Sequence, residues 1–393
     1  MKNTRTAAFA ATAALALALG ACSGDDGAAA GPAGDDAVTV VATTTQICDY
    51  VTQIAVDESA DAELAFTKHD SEGDVSTAGA DPADAATSLE LTCLLAPNAS
   101  AHEHEMTPQQ MQALSDADLF LVSGVDLENF LDSAVESSGF SGIMGVTSGV
   151  LSSVEVDDPE KQESIEAELP YEVYRGDEKV DVEPWPFPPP NPGEAPEFRF
   201  DPHVWTSPAF AKVQVHNIGE ALKKIAPDNA ELFDRHVDRY EDELDDLDAW
   251  AKETLESVPE GNRVLFTSHD AFGYFSNRYD IDFIGTALSD FSAQQDATAD
   301  HIREAAEQVK ESGAVALFAE NSNNSKSIEA IARAAGVKAI IGDDAMYGDS
   351  LGPEGSEGET YIKSIIHNVK ALANAWGGTI AELPESIRDS DVA

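Results

Sequence analysis

The sequence predicts an α/β fold of two lobes, each with a parallel-type β-sheet flanked by helices, joined by one long connecting helix. Three observations predict it. Strand-like apolar runs alternate with helical patterns in residues 38–226, and the same alternation returns in residues 258–393. Between the two stretches, residues 227–257 carry one uninterrupted amphipathic pattern. With 393 residues, the chain is long enough for two separate cores.

Residues 1–21 have the pattern of an export signal. Lys2 and Arg5 precede an apolar run too short to span a bilayer, and small residues lead to Cys22. This arrangement resembles the lipobox of bacterial lipoproteins, which implies a lipid on Cys22 after cleavage; the alternative is an ordinary signal peptide with an incidental cysteine. Residues 22–37, rich in Gly, Ala and Asp, then predict a flexible tether to the membrane.

The composition is strongly acidic, with 73 acidic and 23 basic residues and a formal net charge of −50. Removing residues 1–21 takes away two positive charges and no acidic residue, so −50 becomes −52 for the mature chain. Such a surface excludes binding to nucleic acid or to an anionic bilayer. It could attract cations, but salt screens that attraction beyond about 8 Å, which favours solubility as the simpler interpretation.

In the first lobe, residues 37–45 predict a strand whose terminal threonines can cap the helix that follows, and residues 89–97 predict a second strand. Residues 107–124 then follow the pattern of a helix leading into a strand. Residues 57–87, rich in Asp, Gly, Ala and Ser, predict an acidic insertion or long loop. Residues 152–200 are acidic and then dense in proline, so we expect an exposed extended loop; a proline-rich partner motif is the alternative.

The connecting helix is followed by a second series of strands and helices. The apolar stripe of the connecting helix comprises Leu232, Phe233, Val237, Tyr240, Leu244, Leu247 and Ala251. Strands are predicted over 263–268, 280–287, 314–320 and 337–341, and helices over 300–313, 325–336 and 359–376. The sequence contains no Walker phosphate loop, no dinucleotide glycine fingerprint and no GxSxG motif, so it lacks the common catalytic and cofactor motifs.

Two cysteines, Cys48 and Cys93, remain in the predicted mature domain besides Cys22. Exported proteins reach compartments where disulfides persist, and an even pair without CxxC spacing favours a structural bridge over a metal site. The alternative is a pair of buried free thiols.

Three histidines stand in loops directly after predicted strands or turn signatures: His102, His203 and His269. A fourth loop supplies carboxylates at Asp343, Asp344 and Asp349. The carboxyl ends of parallel strands meet at one edge of a sheet, so these loops can approach each other. Imidazole nitrogens with one carboxylate oxygen form a set that zinc takes readily, whereas a single loop histidine is more often a surface residue.

Four motifs in order carry a resemblance to a known family. Residues 98–124 (NASAHEHEMTPQQMQALSDADLFLVSG), DPHVWTSP, HDAFGYF and DSLG, followed by TYIKSIIHNVKAL, are similar to those of the metal-binding receptors of cluster A-I ABC transporters. These are zinc and manganese solute-binding proteins and lipoproteins of the ZnuA/AztC/TroA-like family. The resemblance runs from about Val38 to Trp376 and departs from the family pattern in the acidic insertion and the proline-rich loop.

The resemblance implies a ligand set, residue by residue. It assigns metal binding to His102, His203, His269 and Asp349, which follow one another in the family order. His104 falls where an aromatic residue is usual, so it is an auxiliary ligand or a solvent-facing side chain. Residues 343 and 344 come too early in their loop to match the motif and are interpreted as outer or surface groups.

One further acid, Glu320, falls where the family often has a strand-end glutamate near the site. It either supports a ligand imidazole from behind or is a surface acid that caps a helix. Three imidazoles with one carboxylate favour Zn(II) as the transported ligand over manganese, for which similar receptors place a carboxylate at the third position.

The implied function is an extracytoplasmic, high-affinity zinc receptor that is lipid-anchored to the outer face of the cell membrane. The resemblance implies a monomer that binds zinc in the cleft between the lobes and delivers it to an ABC permease with its ATPase. A receptor for manganese or another divalent metal, and a metal-dependent surface adhesin, are the alternatives. A zinc hydrolase with Glu320 as base is a further alternative, but no HExxH-type motif supports it.

Overall fold

The structure is a computed structural model that describes residues 37–56, 63–187, 196, 198–288 and 298–388. The predicted signal peptide, the lipidation site Cys22 and the tether up to residue 36 lie outside the described residues. So do residues 57–62 of the acidic insertion and residues 188–195 and 197 of the proline-rich loop.

The first lobe is built on a seven-stranded sheet. Its strands are β1 (Ala37–Ala42), β2 (Leu64–His69), β3 (Val75–Gly79), β4 (Thr87–Cys93), β5 (Leu119–Val122), β6 (Ile143–Val146) and β7 (Glu172–Tyr174). They lie in the order β3-β2-β4-β1-β5-β6-β7, and every pair is parallel except the edge pair β2–β3. All four residues of β5 are buried because helices cover both faces of a parallel sheet.

The described residues of the first lobe form six helices: α1 (Thr45–Ala55), α2 (Pro108–Ser115), α3 (Leu131–Ser138), α4 (Ser153–Asp157), α5 (Pro159–Glu166) and α6 (Pro208–Ile225). The predicted threonine cap of α1 is present, since the Thr44 side chain accepts a hydrogen bond from the backbone N–H of Ile47. Helix α2 begins with a capping box between Thr107 and Gln110, which fixes where the preceding loop ends.

Two loop predictions in this lobe are wrong. The acidic insertion, 57–87, contains β2 and β3. Strand β2 buries its first three residues in the sheet, whereas β3 is mostly exposed and is held by backbone pairing to β2, so its sequence has no apolar alternation. The segment 152–200 contains α4, α5 and β7, because the Ser152 and Asp158 side chains cap the two helices and the prolines lie mainly further along.

The long helix predicted over 227–257 is confirmed as α7 (Ala230–Glu256), preceded by a single 3-10 turn, Pro227–Asn229. All seven residues of its predicted apolar stripe are buried. Helix α7 packs against α1 and α6 of the first lobe and then against the last long helix of the second. The polar face stays exposed, as the amphipathic pattern indicates.

The second lobe has a four-stranded parallel sheet in the order β11-β10-β8-β9. The strands are β8 (Val264–Thr267), β9 (Asp282–Thr286), β10 (Ala316–Phe318) and β11 (Lys338–Ile340). Its helices are α8 (Gly273–Arg278), α9 (Ala299–Ser312), α10 (Lys326–Ala335), α11 (Tyr361–Trp376) and α12 (Glu385–Arg388). The predicted fold class, two α/β lobes with one long helix between them, is therefore confirmed.

A disulfide joins Cys48 in α1 to Cys93 at the end of β4, with 5.7 Å between the Cα atoms. It ties the first helix to the strand that leads into the loop of His102. None of the described helices combines the length and the apolarity that a membrane span requires.

Candidate metal centre

The four residues implied as ligands all stand in loops that follow strands or precede helices. His102 lies in a 3-10 turn, Ala101–Glu103, between β4 and α2, and His203 directly precedes the turn Val204–Thr206. His269 follows β8, and Asp349 lies in the loop between β11 and α11. The first lobe thus contributes two of the side chains and the second lobe contributes the other two.

The structure brings these four side chains together. The Nε2 atom of His203 lies 3.1 Å from Nε2 of His102 and 3.2 Å from Nε2 of His269. The carboxylate of Asp349 completes the group, with Oδ1 at 3.4 Å from Nε2 of His269 and 3.7 Å from Nε2 of His203, and Oδ2 at 3.8 Å from Nε2 of His102. The potential ligand atoms all lie within 4.8 Å of one another, which is the spacing that one ion can bridge.

The group is withdrawn from solvent. His203 and His269 are fully buried, Asp349 is 3% exposed and His102 is 9% exposed. Burying four polar side chains is costly unless each has partners, so the surrounding contacts matter.

Carboxylates hold two of the imidazoles from behind. Asp201 Oδ1 lies 2.7 Å from Nδ1 of His203 and also accepts a hydrogen bond from its backbone N–H at 3.0 Å. Asp270 Oδ1 lies 2.7 Å from Nδ1 of His269. Such contacts fix the ring orientation and leave Nε2 facing the centre of the group. The sequence motifs did not identify either acid as part of the site, although a carboxylate next to a candidate histidine, or two residues before it, is a usable signal.

Asp349 is held by the first lobe. Its Oδ2 accepts a hydrogen bond of 2.7 Å from the hydroxyl of Ser100, a residue that the motif analysis also missed. Its Oδ1 is buried and, among the described residues, accepts no hydrogen bond of ordinary geometry. Oδ1 is therefore a buried acceptor that faces Nε2 of His269 and of His203.

Glu320 is 1% exposed, so its interpretation as a surface acid does not hold. Its Oε1 accepts a hydrogen bond of 2.7 Å from the backbone N–H of His269, which fixes the backbone of that residue. Burial raises the pKa of Glu320 to about 8 even though the positive charge on His269 opposes the shift. The acid is therefore mostly protonated at neutral pH in the metal-free protein.

Two of the four converging side chains are charged at neutral pH: His269 is positive and Asp349 is negative. Burial lowers the pKa of His102 to about 3, so this ring is neutral at pH 7. Burial also opposes a charge on His269, but the carboxylates of Asp349 and Asp270 outweigh it and hold the pKa of His269 well above its ordinary value. Burial would raise the pKa of Asp349, and the charge on His269 brings it below its ordinary value instead. The metal-free site therefore contains an ion pair between His269 and Asp349.

The remaining candidates lie outside this group. The ring of His104 is half-buried, packs edge-on against Phe130 with 5.0 Å between ring centroids, and lines an open cavity of about 540 Å³ beside His102. Asp343 and Asp344 are exposed in the 3-10 turn Gly342–Asp344. None of the three is among the four converging side chains.

A second group of potential ligands, Asp177, His216 and Glu220, lies at the surface near α6. Its imidazole already has a carboxylate at each nitrogen, Asp177 at 2.7 Å and Glu241 at 3.0 Å, and Glu220 pairs with a lysine. This group is accounted for as a surface network of ion pairs.

The two lobes and the buried group of three imidazoles and one carboxylate define a class of protein, the two-lobed solute receptor whose site suits a divalent metal ion. The family description "Zinc-uptake complex component A periplasmic" matches residues 77–375, which is more than half of the chain. The chain therefore belongs to this family, whose members are metal-binding receptors of ABC importers and not enzymes. The family predicted from the motifs is confirmed.

Individual relatives carry the names of different metals. The manganese-binding lipoprotein MntA of Halalkalibacterium halodurans is 29% identical over 273 residues, covering 70% of this chain and 76% of the relative. The zinc-binding protein TroA of Treponema pallidum is 33% identical over 182 residues, covering 46% of this chain and 58% of the relative. A solved structure of the periplasmic zinc-binding protein TroA from that organism has a TM-score of 0.61 at 24% identity, covering 86% of this chain and 99% of that one, and shows the same fold.

Proposed function

We propose that this chain is the extracytoplasmic zinc receptor of an ABC importer, and that His102, His203, His269 and Asp349 bind the transported ion. The observation that supports it most is the convergence of three Nε2 atoms and one carboxylate within 4.8 Å, at the meeting point of the two lobes. The relatives reported above are named as manganese-binding and zinc-binding proteins, which supports a divalent metal ion as the solute here.

The composition of the group supports zinc. Zinc binds readily in four-coordinate, tetrahedral sites of nitrogen and oxygen ligands, whereas manganese prefers six mostly oxygen ligands. Four protein ligands would fill the coordination sphere of zinc, which suits an ion that is carried and leaves no open position for water. Manganese is the second candidate, because a relative of 29% identity is named as manganese-binding.

The proposal extends to the cell surface and to the partners. Residues 1–21 would be removed, a lipid would hold Cys22 in the outer face of the cell membrane, and residues 22–37 would tether the two lobes. Relatives named as lipoproteins support the anchor. The permease and ATPase of the importer are the partners that membership of the family supports, and α7 would connect the lobe of residues 38–226 to that of residues 258–393.

Metal analysis and competition titration of the purified protein test the proposal. We expect one Zn(II) per chain, tighter than Mn(II), and at least about a 100-fold loss of zinc affinity in each alanine variant of the four ligands. His104→Ala is the matched control from the same loop, and we expect it to change the affinity by less than about threefold. Equal losses in His104→Ala and His102→Ala would contradict the ligand set, and tighter binding of Mn(II) would contradict the metal.

A further inference from the structure

We infer that Ser100 is a specificity-determining positioning residue, whose hydroxyl holds Asp349 as a one-oxygen ligand and thereby favours four-coordinate zinc over manganese. The inference rests on the proposed function, namely that Asp349 and the three histidines bind the ion. It assigns the choice of metal to a side chain that does not itself touch the metal.

The hydrogen bonds of Ser100 have a fixed direction. An ionised carboxylate can only accept, so the single hydroxyl proton of Ser100 goes to Oδ2 of Asp349, at 2.7 Å. The lone pairs of the same oxygen then face the backbone N–H of His102, at 3.3 Å. One hydroxyl therefore joins the histidine loop of the first lobe to the aspartate loop of the second, 249 residues further along the chain.

This contact distinguishes the two carboxylate oxygens of Asp349. Both lie at similar distances from the imidazole nitrogens, Oδ1 at 3.4 and 3.7 Å and Oδ2 at 3.8 Å, so distance alone would allow both to bind one ion. Oδ2 already accepts a charge-assisted hydrogen bond from Ser100, whereas Oδ1 is buried and faces the imidazoles of His269 and His203, which are themselves proposed ligands. Oδ1 is thus the better ligand, and the carboxylate cannot rotate toward a symmetric two-oxygen position without breaking the bond to Ser100.

The number of carboxylate oxygens that bind changes which metal the site suits. With Oδ1 alone, the three imidazoles and one oxygen give the four ligands of a tetrahedral zinc site. With both oxygens, the site offers five ligands and approaches the higher, oxygen-rich coordination that manganese prefers. Loss of the hydroxyl should therefore weaken zinc binding more than manganese binding.

The test compares Zn(II) and Mn(II) affinities of the wild-type protein with those of Ser100→Ala and Ser100→Thr. We expect the ratio of zinc to manganese affinity to fall at least about tenfold in Ser100→Ala, a typical effect of removing an outer partner, and to return within about threefold of wild type in Ser100→Thr, which keeps a hydroxyl. X-ray absorption of the zinc-loaded proteins should show four nitrogen or oxygen ligands in wild type and five in Ser100→Ala.

Ser133→Ala is the matched control, because the Ser133 hydroxyl lines the open cavity beside His102 but donates to the backbone carbonyl of Phe130 and not to Asp349. It should leave both affinities unchanged. Equal losses of zinc and manganese affinity in Ser100→Ala, with an unchanged ratio, would show a merely structural role and overturn the inference while leaving the proposed function intact. Failure of the wild-type protein to bind zinc would instead overturn both. If Ser100→Ala does not fold, a ratio in Ser100→Thr that differs more than tenfold from wild type would also overturn the inference.

Discussion

Zinc binding should release more than one proton per ion at neutral pH. In Glu320→Gln the number of protons released should fall to about one. In the metal-free protein the pKa of His269 is held well above its ordinary value by its two carboxylate neighbours, so the ring is protonated at pH 7. Zinc can bind Nε2 of His269 only after this proton leaves, which gives one proton per ion.

The second contribution comes from Glu320. With a pKa of about 8, this acid is about nine-tenths protonated at pH 7 and about one-tenth protonated at pH 9. Zinc replaces the single charge of the protonated His269 by a double charge near the same place, which lowers the pKa of Glu320 and drives out its proton. The total should approach about 1.9 protons at pH 7 and about 1.1 at pH 9. Because protons leave on binding, zinc affinity rises with pH, by one to two powers of ten per pH unit near pH 7.

Isothermal titration calorimetry in buffers with different ionisation enthalpies measures the proton count directly. Glu320→Gln keeps an oxygen that can accept the hydrogen bond from the backbone of His269 but has no proton to release, so its count should stay near one at both pH values. The number of protons released per zinc ion should differ between the wild-type protein and Glu320→Gln by about 0.9 at pH 7 and by about 0.1 at pH 9. Equal counts for both proteins at pH 7, or fewer than about 0.5 protons in either, would refute the charge assignment.

Two further predictions concern the groups around the site. Asp201→Asn should weaken zinc binding by about 10- to 100-fold in a competition titration, because it disturbs the ring orientation of His203. Asp343→Asn, in an exposed turn, is the control and should have no effect. Equal zinc affinities of the two variants would contradict the role of Asp201. In urea denaturation, the double variant Cys48→Ser with Cys93→Ser should lower the free energy of unfolding of the metal-free protein by about 2–4 kcal/mol, since the disulfide spans 45 residues. An unchanged midpoint and slope of the unfolding curve would contradict this prediction.

The fold class and the four converging side chains could be predicted from the sequence for physical reasons. Strands such as β5 and β8 are short apolar runs that stand out when both faces of a sheet are covered. The side chains at the carboxyl ends of such strands meet at one edge of the sheet, so the sequence alone predicted that the loops of His102 and His269 lie near each other. The apolar stripe of α7 is equally easy to recognise, because a long amphipathic helix repeats the same spacing of apolar residues over many turns.

The remaining features depend on contacts that leave no local pattern. Strand β3 is exposed and is held by backbone hydrogen bonds to β2, so its side chains do not alternate in polarity. Helix α5 is signalled by the cap at Asp158 and the proline that follows it, but the acidic and proline-rich composition around it obscured this signal. Ser100 has no distinguishing neighbours in the sequence, and its importance becomes visible only when a residue of the other lobe meets it.

The contacts around Asp349 indicate how the site must open. The backbone of its loop is bonded to the first lobe on both sides of the ligand: the indole N–H of Trp205 donates to the carbonyl of Gly348 at 3.0 Å, and the backbone N–H of Asn98 donates to the carbonyl of Leu351 at 3.0 Å. With the bond from Ser100 and three more to Thr45 and Gln46, six hydrogen bonds between described residues join this short loop to the first lobe, each contributing about 1 kcal/mol net. His203, His269 and Asp349 are withdrawn from solvent, and the group meets solvent only at His102, which is 9% exposed and lines the open cavity. A partner that displaces the loop of residues 348–351 would remove one of the proposed ligands and break all six bonds at a cost of about 6 kcal/mol. Displacement of this loop would therefore expose the group and take away one of the four proposed ligands in a single movement.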